Sequence, residues 1–247
     1  MIKKAFTLAE VLITLGIIGI VAVLVLPGII TDYNKKVASA RLKKFYSTLA
    51  QATIRSTVDN GEVYEWTFPG GMSDSTVKVI DWYNTYYKPY MKGIDPVYVE
   101  DTDKSIFLGW NFSGDLKANA LKLNFPDGTS ALLYKGYCID FIYDINAKRL
   151  PNKEGHDQFR FLVCPPLQGT GQYCLDGDKR PVCAYGTANI HNCATGGQSN
   201  DTVTMPCQGK TNLRDEAMAQ CKRLPAACSA LLEIDGWEFK SDYPYKL

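Results

Sequence analysis

The sequence opens with an apolar run long enough to cross a lipid bilayer. From Val11 to Ile30, Thr14 is the only polar side chain. Twenty helical residues cover about 30 Å, which matches the hydrocarbon core of a membrane. Lys3 and Lys4 precede the run and predict a cytoplasmic N-terminus. Because the run continues into a polar helical pattern without a small-residue cleavage site, a retained anchor is favoured over a secretory signal.

The pattern beyond the apolar run is that of an amphipathic helix. Apolar residues recur at spacings of three and four from Val37 to Ala52, and Asn60-Gly61 supplies a stop signal. The two patterns together predict one helix from Phe6 to about Asp59, roughly 80 Å long. Pro27 and Gly28 lie inside it, and we expect a kink or a locally melted turn there because proline removes a backbone hydrogen bond.

The first turns of the amphipathic half are basic. The stretch from position 35 to 44 holds no acidic residue and five basic ones, namely Lys35, Lys36, Arg41, Lys43 and Lys44. They indicate either a solvated helix face or an ionic contact with lipid headgroups or a neighbouring subunit. The chain as a whole has 27 basic and 26 acidic residues, so no overall field indicates a nucleic-acid partner.

Residues beyond the helix are predicted to form a head around an antiparallel meander. Period-two alternation indicates strands at residues 121–125, 130–137, 139–145 and 158–163. We expect one apolar face of this sheet to pack on the outer half of the helix. The aromatic segment from Glu62 to Val99, which includes Trp82, is expected to pack on the core. Residues 212–224 predict a short helix, and residues 228–239 a last strand or hairpin.

All eight cysteines lie in the C-terminal part of the chain. They are Cys138, Cys164, Cys174, Cys183, Cys193, Cys207, Cys221 and Cys228. Zinc sites usually use shorter ligand spacings, so four disulfides in an oxidising compartment are the favoured interpretation and free buried thiols the alternative. Five of the cysteines lie in an aperiodic stretch from Pro165 to Ala226, where disulfides would hold a long loop in shape. Their pairing stays open.

The loop from Asp144 to Asp157 could hold a metal. Its oxygen ligands are Asp144, Asn146, Asn152, Glu154 and Asp157. Calcium takes such ligands, with Asp144, Asn146 and Asp157 as weak candidates. The EF-hand template fails at Lys148 and Arg149, so a polar turn is the favoured interpretation and no cofactor is expected.

Signatures of catalysis are missing from the sequence. Histidine occurs only at His156 and His191, and there is no HExxH, GxSxG, P-loop or GxGxxG motif. A cysteine nucleophile paired with either histidine is the remaining enzymatic alternative, but bridged cysteines account for the same residues. We therefore expect a protein that is not an enzyme.

The segment KKAFTLAEVLITLGIIGIVAVLVLP resembles the N-terminal motif of type IV pilins and of type II secretion pseudopilins. The resemblance implies a leader, Met1 to Ala5, cut before Phe6 by a prepilin peptidase, with N-methylation of Phe6. It also implies that Glu10 is the glutamate found in this family at the fifth position of the mature chain, and that Pro27 lies where the family's helix is commonly kinked. Ala5 departs from the usual glycine, and alanine is the next smallest side chain.

The resemblance implies a pilin-like α+β fold with a long N-terminal helix on an antiparallel sheet and a disulfide-rich C-terminal region. The expected division is a leader at 1–5, a transmembrane half of the helix at 6–30, an amphipathic half at 31–59, and an extracytoplasmic head at 60–247 with a cysteine-rich region at 164–228. The expected location is the bacterial inner membrane, and then a periplasmic or surface filament.

Two functions follow as alternatives. The first is a pseudopilin or minor pilin whose Glu10 neutralises the N-terminal amine of the adjacent subunit. Its partners would be other pilin-like subunits, the prepilin peptidase, an inner-membrane assembly platform and the bilayer, with no nucleic acid. The second is a single-pass anchored binding or adhesion protein that never polymerises. In that case Glu10 would only be a carboxylate favoured by the helix dipole.

Overall fold

The computed structural model describes residues 7–69, 78–98, 120–136, 138–147, 149–164, 174, 182–199 and 204–247. Its helices are α1 (Leu8–Asn60), α2 (Val79–Tyr86), α3 (Thr187–Ala194), α4 (Leu213–Arg223) and α5 (Cys228–Ile234), with short 3-10 helices at Val63–Glu65 and Pro225–Ala227. Its strands are β1 (Pro96–Tyr98), β2 (Ala120–Asn124), β3 (Ser130–Lys135), β4 (Ile139–Asp144), β5 (Gln158–Val163) and β6 (Cys183–Ala184). The predicted α+β class is confirmed.

The strands form one antiparallel sheet in chain order, β1 to β6. The four predicted strands are β2 to β5, and the sheet gains β1 and β6 as short edge strands. The register places one apolar row across five strands: Leu121, Leu133, Phe141, Phe161 and Ala184. This row is buried against the outer half of α1, as the alternation predicted.

The outer half of α1 packs on this apolar face through a stripe of residues three and four apart: Ala38, Leu42, Phe45, Leu49 and Ala52. At the centre, Phe45 stacks on Tyr143 with ring centroids 4.1 Å apart and meets Phe161 edge-on at 5.1 Å. The aromatic segment also packs on the core as expected, because Trp82, Tyr83 and Tyr87 are fully buried.

The opposite face of the sheet is also buried, which the alternation did not predict. Lys122, Asp140 and Arg160 occupy it, and each is at most 9% exposed. The alternation indicated which face packs on α1, and it left open whether the other face is covered. On that face Arg160 and Asp140 form an ion pair 3.7 Å apart instead of meeting water.

The C-terminal part is helical where a last strand or hairpin was expected. Residues 228–234 form α5, and the chain then turns at Trp237, which adopts a positive φ of 64°. Because α5 is buried over Cys228–Leu232, its run is apolar without a period, and periodicity cannot separate a buried helix from a buried strand. The helix predicted at 212–224 is α4, which is capped by Asn212 and ends before Pro225. The third helix, α3, was not predicted.

Candidate assembly interface

The first turn of α1 is closed by a capping box between Thr7 and Glu10. The Glu10 Oε2 atom accepts hydrogen bonds of 2.8 Å from both the backbone N–H and the hydroxyl of Thr7, while the Glu10 N–H donates to Thr7 Oγ1 at 3.3 Å. Within the described part of the chain, Glu10 Oε1 has no hydrogen bond. One carboxylate oxygen of Glu10 therefore caps its own helix, and the other forms no hydrogen bond with the described residues. The proposed processing site at Ala5 and Phe6, and the leader Met1–Ala5, lie outside the described residues.

The described residues of the head leave the apolar half of α1 uncovered. All its large apolar side chains from Leu8 to Ile30 are between 43% and 79% exposed, and Ala22 is half-buried. In the described residues, α1 is the one helix long and apolar enough to cross a membrane. Exposure of an apolar surface of this size to water is unfavourable, so we expect lipid or other helices to cover it.

The helix runs through Pro27 and Gly28 without interruption. The Thr31 hydroxyl donates to the Pro27 carbonyl oxygen at 2.9 Å. No turn is melted, and of the two outcomes expected for Pro27 only a bend remains as a prediction.

Three of the five basic residues at the start of the amphipathic half bind the protein's own head. Arg41 Nη1 donates to the Ile145 carbonyl oxygen at 2.6 Å. Lys43 pairs with Glu238 at 3.0 Å and Lys44 with Asp127 at 2.7 Å. Lys35 and Lys36 have no such partner among the described residues, so they alone fit the solvated or intermolecular interpretations.

The loop after β4 is arranged as a polar turn. Asp157 accepts from the backbone N–H groups of Asn152 and Lys153 at 2.9 and 2.7 Å, and from the Asn146 side-chain amide at 3.1 Å. Asp144 accepts from the Asn146 N–H at 3.0 Å. The candidate calcium ligands Asp144, Asn146 and Asp157 are thus brought together. The carboxylate oxygens of Asp144 and Asp157 already accept from protein donors, whereas Asn146 Oδ1 has no hydrogen-bond partner among the described residues.

Two buried carboxyls on β4 predict that the stability of the protein depends on pH. Burial raises the pKa of Asp144 from 3.8 to about 7 and that of Asp140 to about 6. Both carboxyls bind a proton more tightly in the folded state, so their stabilisation is complete below pH 4 and is lost as the pH rises through 6 and 7. At about 1.4 kcal/mol per pH unit and group, the free energy of unfolding should fall by on the order of 4 kcal/mol from pH 5 to 8.

Urea denaturation of the full chain in detergent at pH 5 and pH 8 measures this fall. Asp144→Asn should reduce the difference in the free energy of unfolding between pH 5 and pH 8. Asp81→Asn, on the exposed side of α2, should leave that difference unchanged. A wild-type profile that is flat, or that rises towards pH 8, would contradict the buried, raised carboxyls.

A buried ionic cluster joins β4, β5 and the loop on the second face of the sheet. Arg160 binds Glu154 Oε1 through Nη2 at 2.5 Å and lies 3.7 Å from Asp140 Oδ2, which also accepts from the Tyr134 hydroxyl at 2.9 Å. The Arg160 guanidinium stacks over the Tyr185 ring at 4.8 Å. The cluster was not predicted, because its members are separated in sequence and Glu154 was considered only as an oxygen ligand of the loop.

The structure joins the eight cysteines in four disulfides, as predicted. The pairs follow chain order: Cys138–Cys164, Cys174–Cys183, Cys193–Cys207 and Cys221–Cys228. The described residues include every cysteine, so none is available here as the thiol nucleophile considered above. His156 Nδ1 lies 3.0 Å from the Lys246 carbonyl oxygen, and its ring contacts Tyr245. His191 lies half-buried on α3.

These features define a class of protein. An exposed apolar helix that continues as the spine of an antiparallel α+β head has a pilin-like layout, and together with four disulfides it indicates a membrane-anchored or secreted extracytoplasmic protein.

The chain belongs to a family of unknown function, DUF6613, whose model matches residues 28–179. The match covers the amphipathic half of α1 and the sheet as far as β5, and it begins at Gly28, near the end of the apolar segment and well beyond Glu10. No curated protein and no solved structure matches the chain.

Proposed function

We propose that this chain is a structural subunit of a pilin-like filament, either a type II secretion pseudopilus or a type IV pilus. One observation carries the proposal: Glu10 stands at the start of an apolar helix that its own head leaves uncovered. A carboxylate within a membrane-spanning helix costs on the order of 2–3 kcal/mol unless it is paired. The free N-terminal amine of a neighbouring subunit supplies such a partner, and neighbouring helices supply the cover.

The architecture supports the same role. The outer half of α1 is fixed to the sheet through Phe45 and its neighbours, so the inner half projects as a rod that can pack beside other copies. The large, disulfide-linked head favours a minor or tip subunit, because bulky loops burden a close-packed helical lattice. Polymerisation, rather than catalysis, is the proposed work. The proposed partners are related subunits, a prepilin peptidase, an assembly platform and the bilayer.

Processing at the N-terminus tests the proposal. Intact mass and N-terminal analysis of the protein extracted from its host's membranes should show a chain that begins at Phe6 with one added methyl group. We expect Ala5 to permit the cut, since its side chain is the smallest after glycine. A chain that still begins at Met1, in cells where related subunits are cut, would contradict the proposal and favour an anchored binding protein.

A further inference from the structure

We propose that the base of the head docks on the anionic headgroups of the membrane that α1 spans, with Leu150 entering the lipid. The surface, called the basal rim below, consists of Tyr33, Lys35, Lys36, Arg149, Leu150 and Lys246. The inference goes beyond filament assembly. It rests on anchoring by α1 and does not require polymerisation.

The position of the rim follows from the length of α1. A cavity of about 210 Å³ separates α1, between Asn34 and Arg41, from the loop residues 145, 146 and 149–151 and from Lys246 and Leu247. Asn34 is four residues beyond Ile30, which is about 6 Å along the helix axis. The headgroup layer extends roughly 5–7 Å beyond the hydrocarbon on each side of a bilayer. The cavity and its loop therefore begin at the level of the headgroups.

Hydrogen bonds hold the backbone on both sides of Leu150. Arg41 ties Ile145 to α1, and Asp157 holds the backbone of Asn152 and Lys153. Between these ties Leu150 is 83% exposed, the highest value for a large apolar side chain in the described part of the protein. Burial of a leucine side chain in an apolar phase is favourable, and the lipid around α1 supplies such a phase. Tyr33, 66% exposed, stands where interfacial aromatic side chains gather.

The charge of the rim fits anionic headgroups. Lys36, Arg149 and Lys246 are exposed and Lys35 is half-buried, and none pairs with a carboxylate among the residues the structure describes. Of the nearby acidic groups, Glu238 is paired with Lys43, whereas Asp32 on α1 and Asp157, whose carboxylate accepts from backbone amides, remain as opposing charges. Four cations against two carboxylates leave the rim positive, so it favours a negatively charged bilayer.

Photocrosslinking tests the contact directly. The full chain, with p-benzoylphenylalanine in place of Leu150, is reconstituted in vesicles of phosphatidylcholine, with or without a third of phosphatidylglycerol. The matched control carries the same group in place of Tyr64, which is 63% exposed and lies in the short 3-10 helix just beyond α1. The last residue of α1, Asn60, is about 39 Å along the helix from Asn34. After irradiation, lipid adducts are quantified by mass spectrometry. A third protein adds Arg149→Glu and Lys246→Glu to the Leu150 replacement.

We expect lipid adducts at position 150 in the anionic vesicles, about tenfold above those at position 64. Phosphatidylcholine alone, or the two charge reversals, should lower them about tenfold, because 1.4 kcal/mol corresponds to that factor. Equal adducts at 150 and 64, adducts to a second protein chain instead of lipid, or insensitivity to lipid charge would each overturn the proposal. Extraction of the unmodified chain from the vesicles by alkaline carbonate would overturn it too, by showing that α1 is not an anchor.

Discussion

Replacement of Glu10 by alanine is expected to remove the chain from sheared filaments while leaving it in the membrane. The Glu10 Oε1 atom is free to meet a neighbour's amine, and two unit charges 4 Å apart attract by about 4 kcal/mol at an effective dielectric constant of 20. If only a third of this survives desolvation, the yield of assembled subunit falls about tenfold, because 1.4 kcal/mol corresponds to that factor. Immunoblots of the sheared and membrane fractions measure both quantities.

A glutamine at the same position separates the two roles of Glu10. Glu10→Gln keeps an oxygen that accepts from the Thr7 N–H, so the helix cap is retained, but it removes the charge that would bind an amine. The assembly role predicts that glutamine fails like alanine. A cap alone predicts that glutamine assembles normally. Asp32→Ala, which removes an exposed carboxylate from the same helix, is the control and should assemble like the wild type.

Replacement of Phe45 by alanine is expected to destabilise the head by about 3–5 kcal/mol, the usual cost of deleting a buried phenylalanine side chain. The ring is 3% exposed, stacks on Tyr143, and touches Phe125 and Phe161 edge-on, so its loss leaves a cavity lined by three rigid aromatic rings. Little of this lining can collapse, which places the cost toward the upper end of the range.

The loss can be measured by guanidinium denaturation of the full chain in detergent with its disulfides intact, followed by tryptophan fluorescence. Val58→Ala on the same helix is the matched control. Its side chain is 81% exposed, and the free energy of unfolding should change by less than about 0.5 kcal/mol. Equal small losses for both variants would show that α1 does not carry the core of the head.

Wherever local pattern and tertiary environment agree, the sequence predicts the structure correctly. The apolar run and the three-and-four spacing from Val37 to Ala52 specify α1 to within two residues at its start and one at its end. The strands β2 to β5 alternate on the face that packs against α1. In both cases one apolar face packs against one partner, so the residues that become buried recur with the period of the helix or strand.

Only the tertiary structure shows the remaining features, because each depends on contacts between residues that are far apart in the sequence. Arg160 meets Asp140 through the register of β4 and β5, and Glu154 reaches Arg160 from the loop, so the sequence by itself did not indicate the cluster. Residues 228–234 form a helix that is buried over Cys228–Leu232, and such burial removes the period that would reveal it. Disulfide pairing and the basal rim likewise depend on distances between residues remote in sequence. Composition and spacing determine a long apolar helix, a sheet and a disulfide-rich head, whereas long-range contacts determine how the parts of the head pack together and which side chains are exposed at its base.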